Sequence, residues 1–421
     1  MTDSTKQDRD NGASSRFGPI AGLKVIDCAT ILAGPMAATI FGEFGADVIK
    51  IEHPQGDALR GMGLSKDGHG MWWKVVGRNK RSVVLDLKTA DGAEILKAMV
   101  RDADVLIENF RTGTFEKWGL GWDVLREINP RLVMIRVTGF GQTGPYNRRA
   151  GFGTLAESMS GFAHITGEPD GPPTLPSIGL ADGVAAYHGV FAAMFAIYDR
   201  DVRGSGKGQY IDLSLYEPLF SLLGAQSSTF DQLGVIQNRS GNRSVNNVPR
   251  NAYQTVEGHW VAISTSAPSI ARRVMTLVGG EAWANDQRFA TPADRRDNVD
   301  EIDGKVADWI RARPLQDVLD AFEKVEAAIA PIYSIEQIFD DPQYQARDSV
   351  VRVPDDDLGS IAMQNVFPLM SRTPGQIRHP GPRLGQHTRE VLDEMVTSGA
   401  ISAELAERAA AEFKRRTSAE D

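Results

Sequence analysis

The chain has 421 residues, 42% hydrophobic and 24% charged, enough for a large core and for two or more domains of ordinary size. Its formal net charge of −9 argues against a general nucleic-acid or anionic-membrane surface but leaves room for a local basic pocket. Its single cysteine, Cys28, excludes an intramolecular disulfide and a cysteine-cluster metal site.

The first 17 residues are polar and charged, without the apolar core of a signal peptide, and read as a disordered tail. No uninterrupted apolar run of membrane-spanning length occurs, so no transmembrane helix is expected and the cytoplasm is the expected location. Residues 22–29 (GLKVIDCA) form a buried-strand candidate, with Cys28 as core filler. The loop 30–35 (TILAGP) leads to a helix expected over 36–45, and 46–52 (ADVIKIE) is a second strand. Residues 57–77 are glycine-rich and irregular, with Trp72 and Trp73 as packing anchors.

A third strand is expected over 81–87, an amphipathic helix over 89–101 and a fourth strand over 104–110. A helical stretch over 114–128 and a fifth strand over 132–138 follow. Alternation at short loop lengths predicts an open, mostly parallel sheet with helices on both faces. Ligands in such sheets bind outside the carboxyl ends of the strands, here the loops 30–35, 53–56, 109–113 and 139–153. Beyond a long helix (184–198), a strand (209–215) and a helix (216–233), residues 245–339 read as a smaller α/β domain reached through a linker at 224–244. Short strands at 349–353 and 360–363 and closing helices at 387–397 and 402–417 complete the chain.

No HExxH pair, nucleophile elbow or Walker loop is present, and no metal site is expected. Residues 139–144 (GFGQTG) match GxGxxG after a strand, but Pro145 and Asn147-Arg148-Arg149 follow where a dinucleotide site needs a helix N-terminus. Asp182, in GLADGV, has two readings. An Asp before an apolar helix is a common N-cap. A carboxylate among apolar and glycine neighbours is also suited to covalent nucleophilic catalysis, with Gly183 allowing close approach of a ligand.

The ordered landmarks GLKVID…LAGP (22–35), GADVIKIE (45–52), NKRSVVLDLK (79–88), ADVLIENFRTG (103–113), NPRLVMIRVTGFGQTGPY (129–146), GLADG (179–183), GKGQYIDLSL (206–215), DPQYQAR (341–347) and LGQHTREVL (384–392) resemble the class III CoA-transferases. The resemblance implies a large Rossmann-like domain built from 18–223 and 340–421, a smaller α/β domain, and an interlocked homodimer, with a hetero-oligomer as the other assembly. It implies that Asp182 carries a covalent aspartyl-CoA thioester. An acyl-CoA and a carboxylic acid would be the substrates, with succinyl-CoA a possible donor, and no tightly bound cofactor, nucleic acid or membrane partner. By motif, CoA contacts fall on Leu32, Ala33, His53, Leu85, Lys88, Asn109, Phe110, Arg111, Lys117, Ala150, Phe152 and Gly153.

One departure stands out: many relatives carry an acidic residue at the position of Gly153. The α-methylacyl-CoA racemases share the fold and place a His at the position of Phe152, which cannot serve as the second base of a racemase. The racemase or isomerase reading and a non-catalytic subunit of a heteromeric transferase stay open as alternatives. His188, six residues into the long helix, is taken as a packing or surface residue.

Overall fold

A computed structural model describes residues 17–417 of the chain, with side chains as far as 411; most of the expected N-terminal tail lies outside these residues. The chain divides into two units. Among the described residues, one takes the chain up to Ser160, Pro176–Leu223 and the segment from Ala346 on; the other takes Gly161–Leu175 and Gly224–Gln345. Residues 224–244 therefore fall within the second unit.

The first unit is built on a six-stranded sheet of β1 (Lys24–Asp27), β2 (Asp47–Glu52), β3 (Lys80–Val84), β4 (Val105–Glu108), β5 (Val133–Thr138) and β6 (Tyr210–Ser214). The spatial order is β3-β2-β1-β4-β5-β6 and every pairing is parallel. The central strands β4 (VLIE) and β5 (VMIRVT) are buried at every residue, as a parallel sheet covered on both faces requires. In this doubly wound order, strand succession reverses between β1 and β4, and that switch point opens the ligand crevice at the carboxyl ends.

Four helices matter for the site: α1 (Ala33–Glu43), α2 (Ala90–Val100), α3 (Gly153–Met159) and α4 (Leu180–Asp201). α1 starts three residues earlier than expected, with Pro35 inside its first turn, where no backbone donor is needed. α3 was not anticipated. The expected 114–128 helix breaks into Thr114–Lys117 and Trp122–Ile128, because Gly119 adopts φ 68° between them. The 216–233 helix likewise breaks at Gly224 (φ 65°) into Tyr216–Ser221 and Gln226–Leu233.

α4 packs on α1, β5 and β6 through a stripe of small residues, including Ala181, Ala185, Ala186, Gly189, Ala193 and Ala196. A β-carbon on Gly189 would stand 3.2 Å from the Leu213 side chain and 3.5 Å from that of Ile135, a tight fit that Leu213 would have to ease by a few tenths of an ångström. Against the expectation of no membrane-length segment, α4 is long and apolar enough to cross a membrane by length and composition alone. Its small-residue face is instead buried on the sheet, while Tyr187, Phe191, Phe195 and Tyr198 are exposed.

The second unit has an antiparallel sheet of β7 (Asn251–Gln254), β8 (Trp260–Ile263) and β9 (Ile329–Pro331), in the order β9-β8-β7. Its core gathers Tyr253, Val261, Ile263, Val274, Val306, Ile310, Val318 and Phe322. Back in the first unit, β10 (Val350–Asp355) and β11 (Gly359–Gln364) form a hairpin.

Candidate active site

A cavity of about 540 Å³ opens at the carboxyl ends of β1, β4, β5 and β6. Its wall takes Thr30–Ala33 after β1, Asn109 after β4, Val137–Gly139 at the end of β5 and Leu215 after β6. Gly151 and Phe152 before α3, Gly153, Thr154 and Glu157 on α3, Pro176–Gly179 before α4, Asp182 in its first turn, and Met62 and Trp72 complete it.

The β1 loop is held from several sides. Asn109 clamps Thr30: its Oδ1 accepts from the Thr30 N–H at 2.8 Å, and its Nδ2 donates to the Thr30 carbonyl at 2.7 Å. Ile31 adopts φ 66°, a left-handed conformation costly for a β-branched residue. Its N–H is paid off by Asp57 Oδ1 at 3.0 Å. Beneath the loop, Lys50 donates to the Ala29 carbonyl and sits 3.6 Å from Asp27 and 3.2 Å from Asp57. Lys80 donates to Asp27 at 2.9 Å and to the Pro35 carbonyl at 2.6 Å. These groups are fully or nearly fully buried, so each charge depends on its partners. Burial alone would depress the Lys50 ammonium, but Asp27 and Asp57 hold it above its ordinary range; for Lys80 burial wins and its pKa falls.

Two glycines bring the α3 loop to the end of β5. A β-carbon on either Gly139 or Gly151 would lie 2.6 Å from the other's α-carbon, so the backbones cross where no side chain fits. Gly139 is therefore a wall residue of this cavity, and no helix follows GFGQTG until Gly153. The dinucleotide reading is set aside accordingly.

Asp182 is not an N-cap. α4 begins at Leu180 with Gly179 as its cap, so Asp182 lies in the first helical turn with its carboxyl group at the cavity wall. Gly179 offers no side-chain oxygen; instead Glu157 Oε1 accepts the Ala181 N–H at 3.2 Å. Burial first, and then the neighbouring charge on Glu157, push the Asp182 carboxyl up to about 6, against the pull of a backbone hydrogen bond. Among the described residues, Asp182 and Glu157 are the only charged groups in the wall. Thr138 lines the same wall, and its buried Oγ1 has no hydrogen-bond partner among the described residues.

Of the residues singled out in the sequence, the cavity brings together Leu32, Ala33, Asn109, Phe152, Gly153 and Asp182. Lys88, Arg111 and Lys117 are exposed and form no ion pair among the described residues. Lys88 and Arg111 follow β3 and β4 at the same edge of the sheet; Lys117 ends the short helix beyond. His53 follows β2, with Nε2 3.8 Å from Asp86. The Leu85 side chain is in the core, and Phe110 packs on Phe115 and Trp118 at 5.5 and 4.9 Å, so both offer a ligand chiefly their main chain. Ala150 is exposed beside the wall residue Gly151. Gly183 faces Met36 at 3.9 Å from where a β-carbon would lie and takes no part in the wall. His188 bonds the Val184 carbonyl at 2.9 Å and packs on Phe191, away from the wall.

Trp72, expected as a packing anchor, lines the cavity instead, while Trp73 is buried as expected. Sequence reasoning missed Thr138 and Glu157. Glu157 was findable in part: it lies four residues after Gly153 on α3, hence on the same helix face.

The profile of CoA-transferase family III matches residues 20–388. The chain is 40% identical to succinyl-CoA–D-citramalate CoA-transferase of Chloroflexus aurantiacus over 383 residues, 90% of this chain and 94% of that protein. It is 41% identical over 383 residues to the beta subunit of succinyl-CoA–L-malate CoA-transferase from the same organism, with the same coverage of 90% and 94%. In fold it is similar to the crystal structure of a CAIB/BAIF family protein from Brucella suis, with TM-score 0.79, 31% identity, and coverage of 90% of this chain and 100% of that one. With the doubly wound sheet and the carboxylate-bearing cavity at its switch point, these matches establish that the chain belongs to CoA-transferase family III.

Proposed function

We propose that this enzyme moves CoA from an acyl-CoA donor to a carboxylic acid through a covalent aspartyl-CoA thioester on Asp182. The observation that carries the reading is the Asp182 carboxyl at the cavity wall, raised toward neutrality yet ionised above about pH 6. Asp182 attacks the donor thioester carbonyl; the C–S bond breaks and CoA thiolate leaves with the electron pair. The thiolate attacks the aspartyl carbonyl of the mixed anhydride, releasing the donor's carboxylate and leaving the aspartyl-CoA thioester. The acceptor carboxylate then attacks that thioester, and CoA passes to it through a second anhydride. Splitting one exchange into acyl-transfer steps is the gain of covalent catalysis. Each step develops an oxyanion, and the N-terminal ends of α1 and α4 at the wall supply a favourable dipole.

Succinyl-CoA as donor and a C4–C5 dicarboxylate as acceptor are the substrates this reading favours, supported by the activities named for the two Chloroflexus proteins. His53, Lys88, Arg111 and Lys117 are proposed to meet the phosphates of CoA. Phe152, 60% exposed at the wall, has no proton to transfer and argues against a two-base racemase. The exposed aromatic face of α4 supports assembly with a second chain, and native mass measurement distinguishes a homodimer from a heteromer like that named for the malate enzyme.

Trapping tests the mechanism. The protein is incubated with a panel of acyl-CoAs, treated with hydroxylamine, digested and mapped by mass. A hydroxamate on Asp182, absent in Asp182→Asn, is expected with succinyl-CoA. No adduct with any donor, together with deuterium exchange at the acyl α-carbon, would replace this reading by the racemase one.

A further inference from the structure

Resting on the nucleophilic role of Asp182, we infer that Glu157 is a positioning residue for that carboxylate. It caps α4 from a neighbouring helix, and its charge makes the free aspartate less favourable than the acylated one.

Three observations converge. α4 has no capping side chain of its own, and Glu157 Oε1 takes the Ala181 N–H, the residue before Asp182, at 3.2 Å. Glu157 is 2% exposed, burial that a carboxylate resists, and its one side-chain hydrogen bond among the described residues comes from an uncharged donor, the Ala181 N–H. Its helix also presents Gly153 to Asp182 so closely that a β-carbon there would lie 2.2 Å from Oδ2. The two carboxylates thus share one wall with no cation among its lining residues.

The chemistry follows from charge. When Asp182 forms an anhydride or a thioester, its negative charge leaves with the departing thiolate or carboxylate. The side chain left behind is neutral, so both burial and the repulsion from Glu157 are relieved. A carboxylate of higher pKa is also the stronger nucleophile while still ionised at neutral pH.

Other titratable groups near these elements are occupied elsewhere. Glu217, on the helix packed against α3, is bonded to Ser214, and His188 to the Val184 carbonyl. Beneath the β1 loop, Asp27 is ion-paired with Lys50 and Lys80, and Asp57 with Lys50.

The test compares wild type with Glu157→Gln, whose amide oxygen can still accept the Ala181 N–H. In wild type the acid limb of kcat/KM is expected near pH 6. In Glu157→Gln the limb moves down by roughly one pH unit, the scale of a single neighbouring charge. The share of enzyme trapped as the Asp182 adduct at equilibrium falls severalfold. Glu157→Ala loses the cap as well, and its Tm drops below that of Glu157→Gln. An unchanged limb and adduct share in Glu157→Gln would reduce Glu157 to a structural cap and overturn the inference. So would a wild-type limb near pH 4, which needs no variant to fold. A wild type that yields no Asp182 adduct overturns the underlying reading instead, a result distinguishable from the other two.

Discussion

Gly153 and Asp182 are in such close opposition that a β-carbon on Gly153 would lie 2.2 Å from Asp182 Oδ2 and 3.1 Å from its Cγ. The obstructing atoms are the end of a side chain, so a methyl group can be accommodated by turning the carboxylate aside. Gly153→Ala is therefore expected to fold with a Tm close to wild type and to lose about 100-fold in kcat, the cost of misplacing a reacting group by about 1 Å. Matched thermal melts and turnover assays check this; full activity in the variant would mean that Asp182 works from another rotamer.

Asp182→Asn should abolish transfer and stabilise the protein in a pH-dependent way. The folded pKa of about 6 lies above the ordinary 3.8. The fold therefore favours the neutral carboxyl, and this contribution is complete below about pH 4 and lost as pH rises through about 6. Asn is neutral throughout. The Tm of the variant is expected to match wild type near pH 4 and to exceed it by a few degrees at pH 8, corresponding to about 1–2 kcal/mol. Melts across that range check the sign; an advantage that shrinks as pH rises would contradict it.

What the sequence displays and what it hides follow a physical line. Runs such as VLIE and LVMIRVT are unmistakable as buried strands, because two covered faces demand uninterrupted apolar residues. Asp182 stood out because a carboxylate among apolar and glycine neighbours suits covalent catalysis, although the same position also suits an N-cap. Its place inside the first turn was hidden, since the Ala181 N–H is taken by Glu157, 24 residues before Ala181 in sequence. The Asn109–Thr30 clamp spans 79 residues, and no local pattern records it. Trp72 and Trp73 are adjacent and chemically identical; only the fold sends one to the core and the other to the cavity. After GFGQTG the next helix begins only at Gly153, so the helix N-terminus that the motif needs does not follow it directly.

Asn109→Ala removes both hydrogen bonds to Thr30 and leaves the half-buried backbone N–H and carbonyl of that residue without them. A loss of about 2 kcal/mol is expected from two such bonds. Because the freed segment carries Leu32 and Ala33 into the wall, KM for the acyl-CoA should rise about tenfold. Denaturant melts and initial rates check both; an unchanged KM would assign Asn109 to stability alone.

Lys88, Arg111 and Lys117 are exposed cations without ion-pair partners among the described residues. If they meet the phosphates of CoA, replacing all three by Ala should raise KM for every acyl-CoA about equally and leave stability unchanged. The attraction acts through solvent and is screened by salt. The wild-type KM should therefore climb between 50 and 500 mM salt, on the order of tenfold, while that of the triple variant stays nearly flat. A wild-type KM insensitive to salt would remove these residues from the CoA path.

Thr138 ends β5 with a buried hydroxyl that has no partner among the described residues, at the wall of the cavity. An unsatisfied buried hydroxyl costs free energy that a methyl group does not, so Thr138→Val, close in shape and at home in a strand, should raise stability by about 1 kcal/mol. The hydroxyl earns its place only if bound substrate accepts from it or donates to it. The variant is then expected to lose about tenfold in kcat/KM, with the loss borne by whichever substrate places an oxygen there. Measuring KM for donor and acceptor separately identifies that substrate. A variant more stable than wild type with unaltered constants for both would show that the hydroxyl contributes nothing to binding.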